Sequence, residues 1–273
     1  MKRLVVALAL SALLLAGCTG SDLTRPEPTA TATPLAIDSI DSIDPTGLWR
    51  VSHAEGAGED TWLYLADDLV LWSDCGIAEG NWNARGATFV AQLFLFLKHS
   101  CNPDTFIEDS AWLYQATNLR ETNDGIELLD SDGAVVASLT VDGYPPSGGE
   151  ERYTHQPTPS RSAEIVLDVP NAATMSSQLI GRWVHPDVPD DGTYIEFFED
   201  GFWRGSDGCN TTAGRWALGE YGIVITGSGI STLVGCSGSN VARLSEQATA
   251  VAVTSTGLTF YGPEGVLQSV IPG

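Results

Sequence analysis

Five thiols and four imidazoles are the side chains best equipped for chemistry in this 273-residue chain: Cys18, Cys75, Cys101, Cys209 and Cys236, with His53, His99, His155 and His185. No histidine stands at a metal-ligand spacing from another histidine or from a free cysteine. Nucleophilic catalysis needs a serine or cysteine activated by a histidine, and no Gly-x-Ser-x-Gly elbow marks one. Acid–base work needs partners within hydrogen-bond reach, and scattered carboxylates such as Glu196 and Asp207 have none in the sequence. The cluster Asp187-Val188-Pro189-Asp190-Asp191 offers a weak calcium site at Asp187, Asp190 and Asp191. It lacks the ligand rhythm and closing glutamate of an EF-hand loop and reads as a solvated turn. Gly205 to Asn210 is glycine-rich but opens no clear helix, so it is no phosphate cradle, and Asn210 is expected to hydrogen-bond within its own turn. No catalytic residue, metal or cofactor is therefore expected, and the chemistry left to explain is that of sulfur.

The first thiol has a specific context. Met1-Lys2-Arg3 is a short positive segment, followed by an apolar run from Leu4 to Leu15. The run is shorter than the roughly 20 residues that span a bilayer, so it reads as a signal peptide over residues 1–17. It ends in Leu15-Ala16-Gly17-Cys18, which resembles the lipobox of bacterial lipoproteins. The resemblance implies cleavage before Cys18, a diacylglycerol on its thiol, acylation of the new amino group, and display on the outer face of the cell membrane. Asn210-Thr211-Thr212 matches a glycosylation acceptor, but a bacterial source sets it aside.

Charge narrows the partners. Removing residues 1–17 takes away Lys2 and Arg3 and no acid, moving the formal net charge from −22 to −24. Such a surface repels nucleic acid and anionic headgroups. The lipid must then hold the protein to the membrane, at about 0.8 kcal/mol per buried methylene.

The other four thiols sit inside a repeat. Gly47-Leu48-Trp49 matches Gly181-Arg182-Trp183, Cys75 matches Cys209, and Gly80-Asn81-Trp82 matches Gly214-Arg215-Trp216, each at an offset of 134. Cys101 meets Cys236 at 135. Gln115-Ala116-Thr117 recurs as Gln247-Ala248-Thr249, and Gly125 and Gly133 recur as Gly257 and Gly265, all at 132. Two copies of one module follow, at 45–143 and 178–273, near the common domain size. Four cysteines allow three pairings. Modules that close their own loops select Cys75 with Cys101 and Cys209 with Cys236, each bridge contributing about 3 kcal/mol. A cross-module pairing would require the copies to dock in one geometry.

The elements that carry these residues have a period of two. Thr193–Phe198 and Phe202–Gly205 flank Glu199-Asp200-Gly201, a hairpin signal. Gly214–Leu218 with Tyr221–Thr226, and Ala250–Thr254 with Leu258–Tyr261, give two more, and Gly265–Val270 is placed to close the sheet. In the first copy strands are expected at 62–65, 69–72, 88–95, 125–129 and 135–139, and a short helix falls at 240–248 in the second. The fold class is mainly β: two small antiparallel barrel- or sandwich-like domains, each with a short helix. Trp49, Trp82, Trp183 and Trp216 are expected to fill the cores. Residues 18–44 form a Thr/Pro-rich stalk and 144–177 a linker, in which Ile165-Val166-Leu167 is the one patch able to add a strand to a module.

The second copy resembles the META-domain family. Leu179-Ile180-Gly181-Arg182-Trp183 opens the match. Gly208-Cys209-Asn210 resembles the family's turn, Gly214-Arg215-Trp216 its glycine-then-aromatic strand, and Ser231-Thr232-Leu233-Val234-Gly235-Cys236 its threonine-to-cysteine segment. The match spans 179–273. The first copy is degenerate, since Ser73-Asp74-Cys75-Gly76 lacks the asparagine and Lys98-His99-Ser100-Cys101 the threonine. The resemblance implies a small antiparallel β fold in exported or lipid-anchored proteins, associated with heat-inducible and secretion-linked roles. Gly208, Cys209, Asn210, Gly214, Trp216, Thr232 and Cys236 are then structural motif residues. The expected function is non-enzymatic: a monomer on a lipid tether, binding an envelope protein or a cell-wall component. An envelope enzyme, or a barrel holding a small ligand in a pocket hidden from the sequence, is the alternative.

Overall fold

The computed structural model describes residues 35–37, 42–99, 101–145, 153, 155–158, 166–190, 192–227, 241 and 244–273. The signal segment, Cys18, Asp191, Thr232 and Cys236 lie outside them. The fold is mainly β, as the sequence implies. Eight strands of the first module close into an antiparallel barrel: β2 (Gly47–Ser52), β3 (Trp62–Leu65), β4 (Leu69–Ser73), β5 (Gly76–Arg85), β6 (Thr88–His99), β7 (Asn118–Glu121), β8 (Gly125–Leu129) and β9 (Val135–Thr140). Each pairs with the next, and β9 returns to β2 with Val51 opposite Leu139. Two short helices, α1 (Pro103–Asp109) and α2 (Ala111–Gln115), fill the connection from β6 to β7. Asn102 caps α1 by accepting from the Thr105 amide at 2.9 Å, and Pro103 occupies the first turn, where its missing N–H has no cost.

The run Trp62-Leu63-Tyr64-Leu65 with Leu69-Val70-Leu71-Trp72 has no polar face because both faces are buried. Leu63, Leu65, Leu69 and Leu71 point into the barrel with Trp82, Phe89, Trp112 and Leu113. Trp62, Tyr64, Val70 and Trp72 form a second cluster outside it, closed by Tyr153. Tyr153 meets Trp72 and Tyr64 edge-on at 4.8 and 5.0 Å between centroids, the geometry aromatic quadrupoles favour. The Gln156 amide donates to the Leu48 carbonyl and accepts from its N–H, both at 2.9 Å. Tyr153 and Gln156 of the segment between the modules are thus packed against the first barrel, whereas Val169 and Ala173 pack against the second.

The patch near Val166 does not join either barrel. β10 (Val166–Asp168) pairs instead with β1 (Leu35–Ile37), a stretch of the expected stalk, in a separate two-stranded sheet. The first barrel is closed on itself, and the edge of β16 in the second module is met by the residues that follow β10: the Ala173 N–H donates to the Val251 carbonyl at 2.8 Å and the Val253 N–H to the Asn171 carbonyl at 2.9 Å.

The second module repeats the order: β11 (Gly181–Val184), β12 (Thr193–Phe197), β13 (Phe202–Asp207), β14 (Thr211–Gly219), β15 (Gly222–Ile225), α3 (Leu244–Gln247), β16 (Ala250–Val253), β17 (Leu258–Gly262) and β18 (Gly265–Pro272). Its sheet runs β15-β14-β13-β12-β11-β18-β17-β16. This is the first barrel's circular order with one joint open. β18 returns to β11, as expected of Gly265–Val270, but no ladder joins β15 to β16 among the described residues. Leu179, Ile195, Phe197, Trp203, Trp216, Ile223 and Phe260 fill the interior. Leu69 pairs with Gly80, and Trp203 pairs with Gly214, which keeps the 134-residue offset in three dimensions.

The repeated tryptophans obey one rule. Trp49 donates its indole N–H to the Pro45 carbonyl at 2.8 Å, and Trp183 to the Leu179 carbonyl at 2.7 Å, four residues back in each copy. Trp82 and Trp216 donate to Ala66 and Phe202 carbonyls at 2.9 Å, near the first hairpin turn of each module. Trp49, Trp82 and Trp216 are buried, whereas Trp183 is only half-buried, so the expected core filling holds for three of the four.

Candidate functional site: the inter-module cleft

Among the described residues, neither barrel interior holds facing titratable groups; both are packed with apolar side chains. The concave surface of note lies where the two modules meet. A cleft of about 1050 Å³ is walled by β6 and α2 of the first module and by β13 and β14 of the second. Its lining includes Gln92, Ile107, Tyr114, Phe202, Arg215 and Trp216.

Alternation along two equivalent strands builds the junction. On β5, Trp82 and Ala84 face the barrel core, so Asn81, Asn83 and Arg85 face outward, toward the second module. The Asn83 amide donates to the Ile225 carbonyl at 3.0 Å, the Asn81 amide to the Gly227 carbonyl, and the Arg85 guanidinium to the Thr249 carbonyl. On β14, Trp216 faces its own core, which turns Arg215 toward the first module. Its guanidinium donates to the Tyr114 carbonyl at 2.6 Å and to the Asp200 carbonyl at 2.9 Å.

Arg215 is 6% exposed. Burial pulls its pKa below the usual guanidinium value, opposed by the nearby Asp200 and Tyr114, but a guanidinium stays charged in proteins. Its cation lies 4.6 Å from the centre of the Phe202 ring, a cation–π distance. The Phe202 ring also stacks on Tyr114 at 6.4 Å. Burial raises the Tyr114 pKa, while its hydrogen bond to the Leu93 backbone and the charge of Arg215 act the other way. Phe202 and Ile107 remain 37% and 52% exposed at the rim, giving the cleft apolar surface beside polar groups, the usual make-up of a ligand site.

The residues singled out from the sequence take structural places. Cys75 and Cys101 are joined in a disulfide, tying the turn before β5 to the approach to α1. Cys209 is also disulfide-bonded, and its partner lies outside the described residues. Asp207 accepts from the Cys209 and Asn210 amides at 3.0 and 2.7 Å and from the Asn210 side chain at 2.8 Å. Those donors, the Asn210 side chain first, hold its carboxyl below the usual carboxylate range. Gly208 turns this loop at a φ of +92°. Asn210 therefore bonds within its turn. Gly214 is required because a Cβ there would strike the Trp203 indole. Asp187 and Asp190 are exposed, and no cluster of metal-ligating side chains occurs among the described residues. Glu196 pairs with Arg204 at 2.8 Å on the surface.

Sequence reasoning missed Tyr114, Phe202 and the three outward residues of β5. The signal for the last was present, as polar residues alternating with Trp82 and Ala84, but its target is about 150 residues away. No protein-family model, curated protein or solved structure matches the chain.

Proposed function

We propose that this chain is an extracytoplasmic bacterial lipoprotein, tethered through Cys18, whose two META-like modules act together as a non-enzymatic binding protein of the cell envelope. The observation that carries the binding reading is the cleft: both modules wall it, and it combines exposed Phe202 and Ile107 with the buried Arg215 cation. Packed barrel interiors favour ligand capture at this junction over chemistry inside a barrel. The lipobox-like segment Leu15-Ala16-Gly17-Cys18 and the acidic surface favour lipid tethering over electrostatic attachment. The partner would be an envelope protein or a cell-wall component, met by a monomer on the outer face of the cell membrane.

Site-specific photo-crosslinking in intact cells tests the binding reading. A crosslinker at Ile107, which lines the cleft, should give adducts that one at the similarly exposed Val266, which does not line it, lacks. Phe202→Ala should weaken them. Equal labelling from both positions would reject the cleft as the binding site. Separately, Cys18→Ala should move the protein from the membrane to the soluble fraction, and continued membrane attachment would reject the tether.

A further inference from the structure

In the first module, the joint between β6 and β7 is closed by backbone hydrogen bonds. The Phe89 N–H donates to the Thr117 carbonyl at 2.9 Å, and the Leu119 N–H to the Ala87 carbonyl at 2.7 Å. The repeat offsets carry Phe89 to Ile223 and Thr117 to Thr249. In the second module no such bond joins β15 to β16 among the described residues; the strands touch at Gly222, where a Cβ would strike the Thr249 carbonyl, and the outer edge of β16 bonds to Asn171 and Ala173. The Thr249 carbonyl, the counterpart of Thr117, accepts from the Arg85 guanidinium of the other module instead. The Ile225 and Gly227 carbonyls on the other side of the joint accept from Asn83 and Asn81.

We infer that the outward face of β5, Asn81-x-Asn83-x-Arg85, is an interaction surface whose partner is the β15–β16 joint of the second module, so that the first module caps the carbonyls this joint leaves without a ladder partner. Three side chains spaced at the strand period present donors to carbonyls on both sides of the joint. Arginine suits the far side because its planar fork reaches across and keeps its charge under burial. Buried carbonyls at an open sheet edge otherwise lack partners, and such an edge invites pairing with another chain. The arrangement is one-sided: the first barrel closes itself, and the second depends on its neighbour. It does not depend on the binding role of the cleft.

Amide hydrogen exchange on the whole mature chain tests this. Arg85→Gln and Asn83→Ala should speed exchange in β15 and β16 by about tenfold or more, the factor that losing one or two net hydrogen bonds produces. Exchange in β3 and β4 should not change. Gly219→Val supplies a second route, since a side chain there meets Thr88 and wedges the modules apart without touching β5; it should produce the same selective pattern. Arg120→Gln, which removes a surface ion pair with Glu127, should change neither region. Unaltered exchange in β15 and β16, or an equal acceleration in β3 and β4, would overturn the inference.

Discussion

Gly125 and Gly257 lie 132 residues apart and face the same obstacle. A Cβ on the first would run into the Leu139 carbonyl, and on the second into the Val270 carbonyl. The two carbonyls occupy matching places on β9 and β18, so the repeated glycine records a close approach of backbones. Gly257→Ala is expected to cost about 1–3 kcal/mol, in the range of overpacking. It should lower the urea midpoint with an unchanged slope; an unchanged midpoint would remove the steric reason for the repeat. A second residue-scale expectation concerns Asp207. Its folded pKa is depressed, so its contribution is present above the unfolded value and fades as pH falls through the folded one. The group is exposed and its weight in stability is small. The Cys209 and Asn210 amide resonances should titrate with a midpoint below about 3.9, the unperturbed aspartate value. A midpoint at or above that value would contradict the hydrogen bonding assigned to the turn.

Strands were legible where an alternating or continuous apolar run is bounded by a marked turn. Thr193–Phe197 and Phe202–Asp207 around Gly201, and Leu258–Gly262 against Ala250–Val253, follow their expected places. The repeat was legible because tryptophans, glycines and cysteines serve packing needs that recur in each copy. The helices α1 and α2 were less so, although Asn102-Pro103 is a cap followed by a first-turn proline; five- and seven-residue helices hold too few turns for a 3.6-residue period to emerge. The β1–β10 pair could not be foreseen, because three-residue strands 130 residues apart carry no local signal of each other. Tyr153 lay hidden for the same reason: a lone aromatic in a polar segment does not reveal what it covers. At this scale the Cys75–Cys101 bridge has a clear role. Its 26-residue loop contains β5 and β6, which face the second module. Cys101→Ser should lower stability by about 2–4 kcal/mol, measured by chemical unfolding; a change within error would mean that packing alone fixes the loop.

At the scale of the whole molecule, duplication has produced two copies with different tasks. The first closes by its own ladder and presents β5; the second has no ladder among the described residues at the equivalent joint and receives it. The cleft exists only because of that docking, since Tyr114 and Gln92 come from one copy and Phe202 and Arg215 from the other. The sequence reading anticipated two copies, but the cleft depends on residues about 100 positions apart whose facing is set by which strand face each barrel leaves outside. Docking through buried polar groups should couple the modules, because separating them strands carbonyls and the Arg85 and Arg215 cations. Scanning calorimetry of the whole chain measures this most directly. A single transition, with calorimetric and van't Hoff enthalpies in agreement, is the expected result. Two resolved transitions of about half the total enthalpy each would contradict it, showing two modules that merely touch.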